Sequence, residues 1–194
     1  MEVKPYSYWY WEKELSTKVC QKIVKKAKGK WSEGQTRGSV EENIPLDDMR
    51  KSDVIFLNEQ WIYDLIWRYM VTANEQAGWK YNIVAAEDCQ ITRYAKDGFY
   101  NWHTDGMGSH HEVYNYPDNK FMHNNTRKLS MSIILNSSFK GGDFEIGGET
   151  TKTKIPTEKG TVVVFPSSQQ HRVAPVTKGT RYSLVSWFLG PPFI

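Results

Sequence analysis

The chain changes character at Cys89, and that change limits its folds more than any single motif does. Beyond it come seven short β-rich runs: "CQITRYA", "FYNWHTD", "KLSMSIILN", "GDFEIG", "GTVVVFP", "HRVAPV" and "RYSLVSWFL". Gly, Pro, Asn and Asp separate them. Short runs rich in β-branched and aromatic residues, bounded by turn formers, read as strands. With helical patterns only ahead of them, they fit a mainly β fold with N-terminal helices, a sandwich or barrel of jelly-roll type.

The first part supplies the support. "YSYWYW" (Tyr6–Trp11) reads as an aromatic strand. Ser16 then caps a helix that ends before Gly29. Leu15, Val19, Ile23 and Ala27 form its buried face, and Lys18, Lys22, Lys25, Lys26 and Lys28 a basic one. A solvated surface is the ordinary reading of such lysines, and a nucleic-acid footprint is the alternative. Residues 31–52 read as a loop or edge strand, "DVIFLN" as a short strand or helix lead-in, and Glu59–Ala77 as a helix stopped by Gly78. There is no repeat, linker or low-complexity tract, so residues 1–194 read as one domain, with 1–88 as helical support and 89–194 as the barrel core.

A net charge of +3 permits an acidic partner without demanding one. Cys20 and Cys89 lack metal-site spacing and read as two buried thiols of a reducing compartment, with one disulfide as the alternative. The N-terminus lacks the apolar stretch of a secretory signal, and no run reaches membrane-spanning length. The expectation is a cytoplasmic protein with no membrane partner.

Three of the five histidines crowd into "NWHTDGMGSHH" (Asn101–His111). On a strand, residues i and i+2 share a side, so His103 and Asp105 can reach one cation. A surface turn is the competing reading of this pair. His171, after the apolar strand "GTVVVF", is the candidate third ligand. Two histidines and one carboxylate on one face of a metal leave open positions and suit non-haem Fe(II) oxygen chemistry. Ten residues after His171 stands Arg181, at the start of another apolar strand. A charge there is costly unless paired, and a guanidinium fork matches a carboxylate. A chelating co-substrate with a distal carboxylate, as in 2-oxoglutarate, would meet both the metal and this arginine. A surface arginine at a strand start is the alternative.

From about Cys89 to Pro191 the chain resembles the prolyl 4-hydroxylase-type 2-oxoglutarate/Fe(II) dioxygenases, and most of all the bacterial and phage PKHD-type branch. The matching phrases are "YAKDGFYNWHTD", "RKLSMSIILN", "GGDFEI" and "GTVVVFPSSQQHRVAPVTKGTRYSLVSW". The resemblance implies a double-stranded β-helix, His103, Asp105 and His171 as metal ligands, and Arg181 for the distal carboxylate of 2-oxoglutarate. It places Tyr94 in the 2-oxoglutarate pocket and Tyr100 as a second aromatic near the metal. It implies Fe(II), 2-oxoglutarate and O₂, with ascorbate as a further candidate. Where some animal relatives have another tyrosine to help hold the carboxylate, this chain has Ile134, and Ser183 beside Arg181 is the candidate substitute. His110, His111 and His123 lie outside the motif and read as rim-loop residues. Trp102, Phe165 and Trp187 read as wall or core, and Asn136 as a turn former or a ligand-orienting group.

The implied reaction is hydroxylation of a C–H bond with release of succinate and CO₂. The expected substrate is a prolyl residue of a protein or peptide, clasped by rim loops at 31–52 and 106–127. A small molecule such as a free amino acid is the alternative. A nucleic-acid demethylase is disfavoured: those enzymes usually carry a second Arg six residues after the first, and here that place holds Trp187.

Overall fold

The computed structural model describes residues 5–29, 31–35, 46–106 and 112–193. β1 (Trp9–Trp11) leads into α1 (Thr17–Lys26), whose N-terminus Ser16 caps by accepting from the Val19 amide. Next come β2 (Ser32–Glu33), the four-residue α2 (Leu46–Met49), β3 (Arg50–Lys51), β4 (Asp53–Leu57) and the long α3 (Gln60–Gln76). "DVIFLN" is therefore a strand, and β2 is an edge strand as expected. The buried stripe of α1 is Cys20 and Ile23, with Val19 only half-buried.

The β-rich half runs through β5 (Ala85–Ala86), β6 (Cys89–Tyr94), β7 (Phe99–His103), β8 (Thr126–Ile134) and β9 (Phe139–Gly141). It continues with β10 (Phe144–Ile146), β11 (Thr153–Ile155), β12 (Val162–Pro166), β13 (His171–Val173), β14 (Val176–Gly179) and β15 (Arg181–Gly190). "HRVAPV", one run by composition, is split: β13 and β14 belong to different sheets. Pro175 between them has no amide to continue a ladder.

Two sheets face each other. The major, eight-stranded one has the order β1-β12-β8-β15-β6-β4-β2, with β5 on β15. The minor one is β11-β10-β13-β7-β3. This is the mainly β, double-stranded β-helix architecture expected of the sequence.

Strand alternation decides what each face does. On β15, Leu184 and Phe188 join Ile23, Ile62, Ile66 and Met70 of the helices in one core. On β8, Leu129, Met131 and Ile133 do the same. Full burial of side chains of this size is worth roughly 1.5–3 kcal/mol each, so the helices brace the major sheet from behind. The opposite faces, Arg181-Ser183 on β15 and Ser130-Ser132 on β8, turn toward the minor sheet. A second core, including Tyr94, Phe144, Phe165 and Val173, fills the space between the sheets.

Candidate metal and co-substrate site

His171 and His103 are directly opposed in the β13–β7 pair. Three residues on β7 then match two on β13, since Val173 is opposed to Tyr100. The bulge lets Tyr100 and His103, three residues apart, both face the cavity. Their rings stack with centroids 3.5 Å apart. Asp105 is not on the strand: β7 ends at His103, and Asp105 is set instead by its amide, which donates to the Ser167 carbonyl at 2.9 Å.

The ligand atoms of His103, Asp105 and His171 lie within 4.8 Å of one another. Nε2 of His171 is 3.6 Å from Asp105 Oδ2, and Nε2 of His103 is 3.9 Å from Oδ1. Each imidazole has its other nitrogen beside a carbonyl: Nδ1 of His103 is 2.7 Å from Asn101 O, and Nδ1 of His171 is 3.0 Å from Gln169 O. Those carbonyls call for protonated Nδ1 and leave Nε2 with a lone pair, the tautomer a metal needs. Burial, reinforced by the neighbouring His171, lowers His103 to about 3, so its ring is neutral. Burial alone would raise Asp105, but His171, His103, Arg127 and the Ser130 hydrogen bond outweigh it and hold the carboxyl below its ordinary value. The donor set is two imidazole nitrogens and a carboxylate, which fits a divalent non-haem metal with open positions.

A hydroxyl pair orients the carboxylate. Ser130 Oγ donates to Asp105 Oδ2 at 2.6 Å and is 3.0 Å from Ser167 Oγ. Both serines are buried. Sequence reasoning missed them, although alternation of serines with Leu129, Met131 and Ile133 on one strand was a legible signal of a polar inner face.

Arg181 is fully buried. Its Nη1 donates to Ser183 Oγ at 3.1 Å, and its guanidinium lies 5.4 Å from the centre of the Tyr94 ring. Nε and Nη2 are buried and hydrogen-bond to nothing among the described residues. An unsatisfied buried donor costs about 1–3 kcal/mol, more when charged. Donors left open on a buried cation fit a carboxylate ligand. Tyr94 and Ser183 line a cavity of about 540 Å³, which His103, Asp105 and His171 also line. Ile134 lies opposite Ser183 in the β8–β15 register.

Farther out, Arg127 forms a two-pronged ion pair with Glu87, 2.6 Å at each contact, and stacks 4.1 Å from the Trp187 ring. Tyr114 Oη donates to the same carboxylate at 3.1 Å. All four line the cavity. The rim includes Ser32, Glu33 and Gln35 from one expected loop and Tyr116 and Met122 from the other.

The remaining expectations sort cleanly. Phe165 and Trp187 line the cavity, while Trp102 lies under the Arg172 guanidinium on the sheet's other face. Arg172 is paired with Glu145. Asn136 is a turn clamp: its Nδ2 donates to Thr180 O and Ser138 Oγ, and its Oδ1 accepts from the Tyr182 amide. His123 is not in the ligand cluster. His110, His111 and residues 36–45 lie outside the described residues. Cys20 and Cys89 are free and buried. Among the described residues, no helix is long and apolar enough to cross a membrane.

Comparison with known proteins bears on the family and the fold. The model of the 2OG-Fe(II) oxygenase superfamily matches residues 89–189. A PKHD-type hydroxylase of Synechococcus sp. (strain CC9605) is 36% identical over 102 residues, which is 50% of this chain and 39% of that protein. The chain thus matches well under half the length of that relative. A viral collagen prolyl hydroxylase from Paramecium Bursaria Chlorella virus-1, solved with 2OG, superposes with a TM-score of 0.67 at 19% identity, covering 95% of this chain and 97% of that one. A Trichoplax adhaerens prolyl hydroxylase, in complex with a hypoxia inducible factor oxygen degradation domain peptide fragment, gives 0.70 at 16% identity, covering 94% and 83%. At these identities the solved structures bear on the fold alone.

Proposed function

Within the 2OG-Fe(II) oxygenase superfamily, to which this chain belongs, we propose that it acts as a hydroxylase of a prolyl residue in a protein or peptide. His103, Asp105 and His171 hold Fe(II), and Arg181 with Ser183 and Tyr94 holds the distal carboxylate of 2-oxoglutarate. The iron, once loaded with 2-oxoglutarate and O₂, supplies oxidation of an unactivated C–H bond coupled to decarboxylation to succinate and CO₂.

The protein's own part is placement. The Asn101 and Gln169 carbonyls fix the imidazole tautomers, and the Ser130 hydroxyl fixes the carboxylate. Phe144, Phe165 and Val173 line the inner cavity with apolar surface, which excludes water and strengthens the Arg181–carboxylate pair. The observation that carries this reading is the buried Arg181 with two unpartnered nitrogens beside the cavity that holds the His/Asp/His cluster. The prolyl assignment is supported by the aromatic wall of Trp187, Tyr114 and Tyr116, which suits a compact, apolar ring, and by the similarity to a PKHD-type hydroxylase and to a collagen prolyl hydroxylase of the same fold.

The test is purified protein with Fe(II), 2-oxoglutarate and O₂ against proline-rich peptides, read by mass. The expected result is the gain of one oxygen on proline, with succinate formed in equal amount. Oxygen gained by free amino acids and by no peptide would replace the peptide reading with the small-molecule one.

A further inference from the structure

Arg181 lies beside the cavity, and a second buried arginine lines it. Arg50, on β3, is also more than nine-tenths buried and lines the cavity. Pairing with β7 sets Arg50 opposite Tyr100. Its guanidinium lies 4.6 Å from the Tyr100 ring centre, and that ring stacks on His103. Arg50 is thus one aromatic ring away from a proposed metal ligand.

Among the described residues its hydrogen bonds go to neutral groups. Nε donates to Ser52 Oγ at 2.7 Å, and Nη1 donates to Gln35 O at 3.1 Å. Among the described residues no carboxylate forms an ion pair with it; Glu87 is taken by Arg127, and Glu33, also on the cavity rim, makes no such contact. The surroundings nonetheless hold the side chain tightly. A Cβ on Gly34 would stand 2.5 Å from Arg50 Nε and 2.7 Å from Cζ, and the Gly34 amide is tied to Ser52 O at 2.8 Å. Only glycine lets the strap at residues 32–35 lie this close over the guanidinium.

A buried charge without an internal partner is expensive. Arg50 lines the cavity and, among the described residues, donates only to neutral oxygens, so a carboxylate entering the cavity would supply the charged partner it lacks there. Arg181 already serves the co-substrate under the reading above. Arg50 lies on the opposite sheet, beside the rim residues that a substrate must pass. Resting on that reading, we infer that Arg50 is a substrate anchor that takes a carboxylate, carried either by an acidic side chain next to the hydroxylated residue or by a terminal carboxyl group.

The test measures binding. Iron- and 2-oxoglutarate-loaded protein without O₂ is titrated with three short acetylated proline peptides: glutamate before proline, glutamate after proline, and a free terminal carboxyl on proline. Each is paired with its glutamine or amide counterpart. At least one carboxylate probe should bind the parent roughly ten- to a hundredfold more tightly than its neutral twin, the range for hydrogen bonds to charged groups. Arg50→Gln should erase that advantage. Arg50→Lys should keep part of it, having the charge without the fork. Arg172→Gln, which removes a charge outside the cavity, should leave it intact. Iron stoichiometry in each variant reports folding. Equal binding of every pair by the parent, or an advantage surviving in Arg50→Gln, overturns the inference. Which probe wins separates an acidic peptide from a terminal carboxylate. Alanine-for-proline versions separate the two claims: if they bind equally well with the charge preference intact, the prolyl reading falls and the role of Arg50 stands.

Discussion

The major sheet rests on the helices α1 and α3, whereas the minor sheet, among the described residues, meets the four-residue α2 at β7 and β3. Behind β8 and β15 lie α1 and α3, joined to them by a core that includes Ile23, Ile62, Ile66, Leu129 and Phe188, all fully buried. Behind β13 and β7 there is instead a row of side chains, with Arg172 between the Glu145 carboxylate and the Trp102 ring. The proposed co-substrate anchors, Arg181 and Ser183, sit on the braced sheet. Both histidines sit on the thin one, and Asp105 hangs just beyond it. The difference teaches a division of labour under the proposed function: the braced sheet carries the anchors for the carboxylate, and the thin sheet offers the histidine ligands for the metal.

The harshest way to break this comparison is to remove a metal ligand. His171→Ala should abolish succinate formation coupled to substrate while circular dichroism stays near that of the parent, because the helix-backed core is untouched. Full activity in that variant would dissolve the cluster's assigned role.

The next effect falls on the braced side. Arg181→Ala should weaken 2-oxoglutarate binding by about 3–5 kcal/mol, on the order of a hundredfold or more, since it strips a buried carboxylate of its partner. Arg181→Lys should lose less. Arg181→Met should raise the melting temperature of the ligand-free protein, because it replaces an unpaired buried cation by an apolar chain. Calorimetry with and without 2-oxoglutarate reads both effects. A melting temperature that falls in Arg181→Met would mean the guanidinium is satisfied without ligand.

Smaller still is the oriented carboxylate. Ser130→Ala frees Asp105 Oδ2 from its hydroxyl and should weaken metal binding roughly ten- to a hundredfold, the usual range for such supporting groups. Ser130→Thr should restore much of it, and Ser167→Ala should cost less, being one bond farther away. Unchanged affinity in Ser130→Ala would make the serine pair mere packing. Metal saturation at about a hundredfold over Kd should add about 2.7 kcal/mol of stability. Hydrogen exchange should place the gain in β7 and β13 and little in β8 and β15; a uniform gain would erase the contrast between the sheets.

The smallest effect concerns the thiols inside the braced half. Burial pushes Cys89 up to about 11 despite the hydrogen bond from Ser186, and Cys20 is raised by burial as well. Neither should react with a disulfide reagent at pH near 8 until the protein unfolds; prompt labelling would show that the helix-backed core opens readily.

How much of this was legible in the chain depends on how local each signal is. His103, Asp105, His171 and Arg181 could be proposed from the sequence because they stand in phrases that resemble a known family, beside strands whose apolar runs are plain. Tyr94 and Tyr100 came with the same phrases. Arg50 could not be read, because its setting depends on β3 pairing with β7, 50 residues further along the chain, and register between distant strands leaves no local trace. The Glu87–Arg127 pair spans 40 residues and was hidden for the same reason. The β7 bulge that turns Tyr100 inward was equally invisible. Asp105 was expected on a strand; strand alternation gave the right side, yet the actual restraint is its bond to Ser167, again a partner from far along the chain.

The most direct measurement is anaerobic Fe(II) binding by equilibrium dialysis, compared across four proteins. The account expects one iron per chain in the parent and in Arg181→Ala, none in Asp105→Ala, and one in His123→Ala. Iron retained by Asp105→Ala, or lost from His123→Ala, would contradict it.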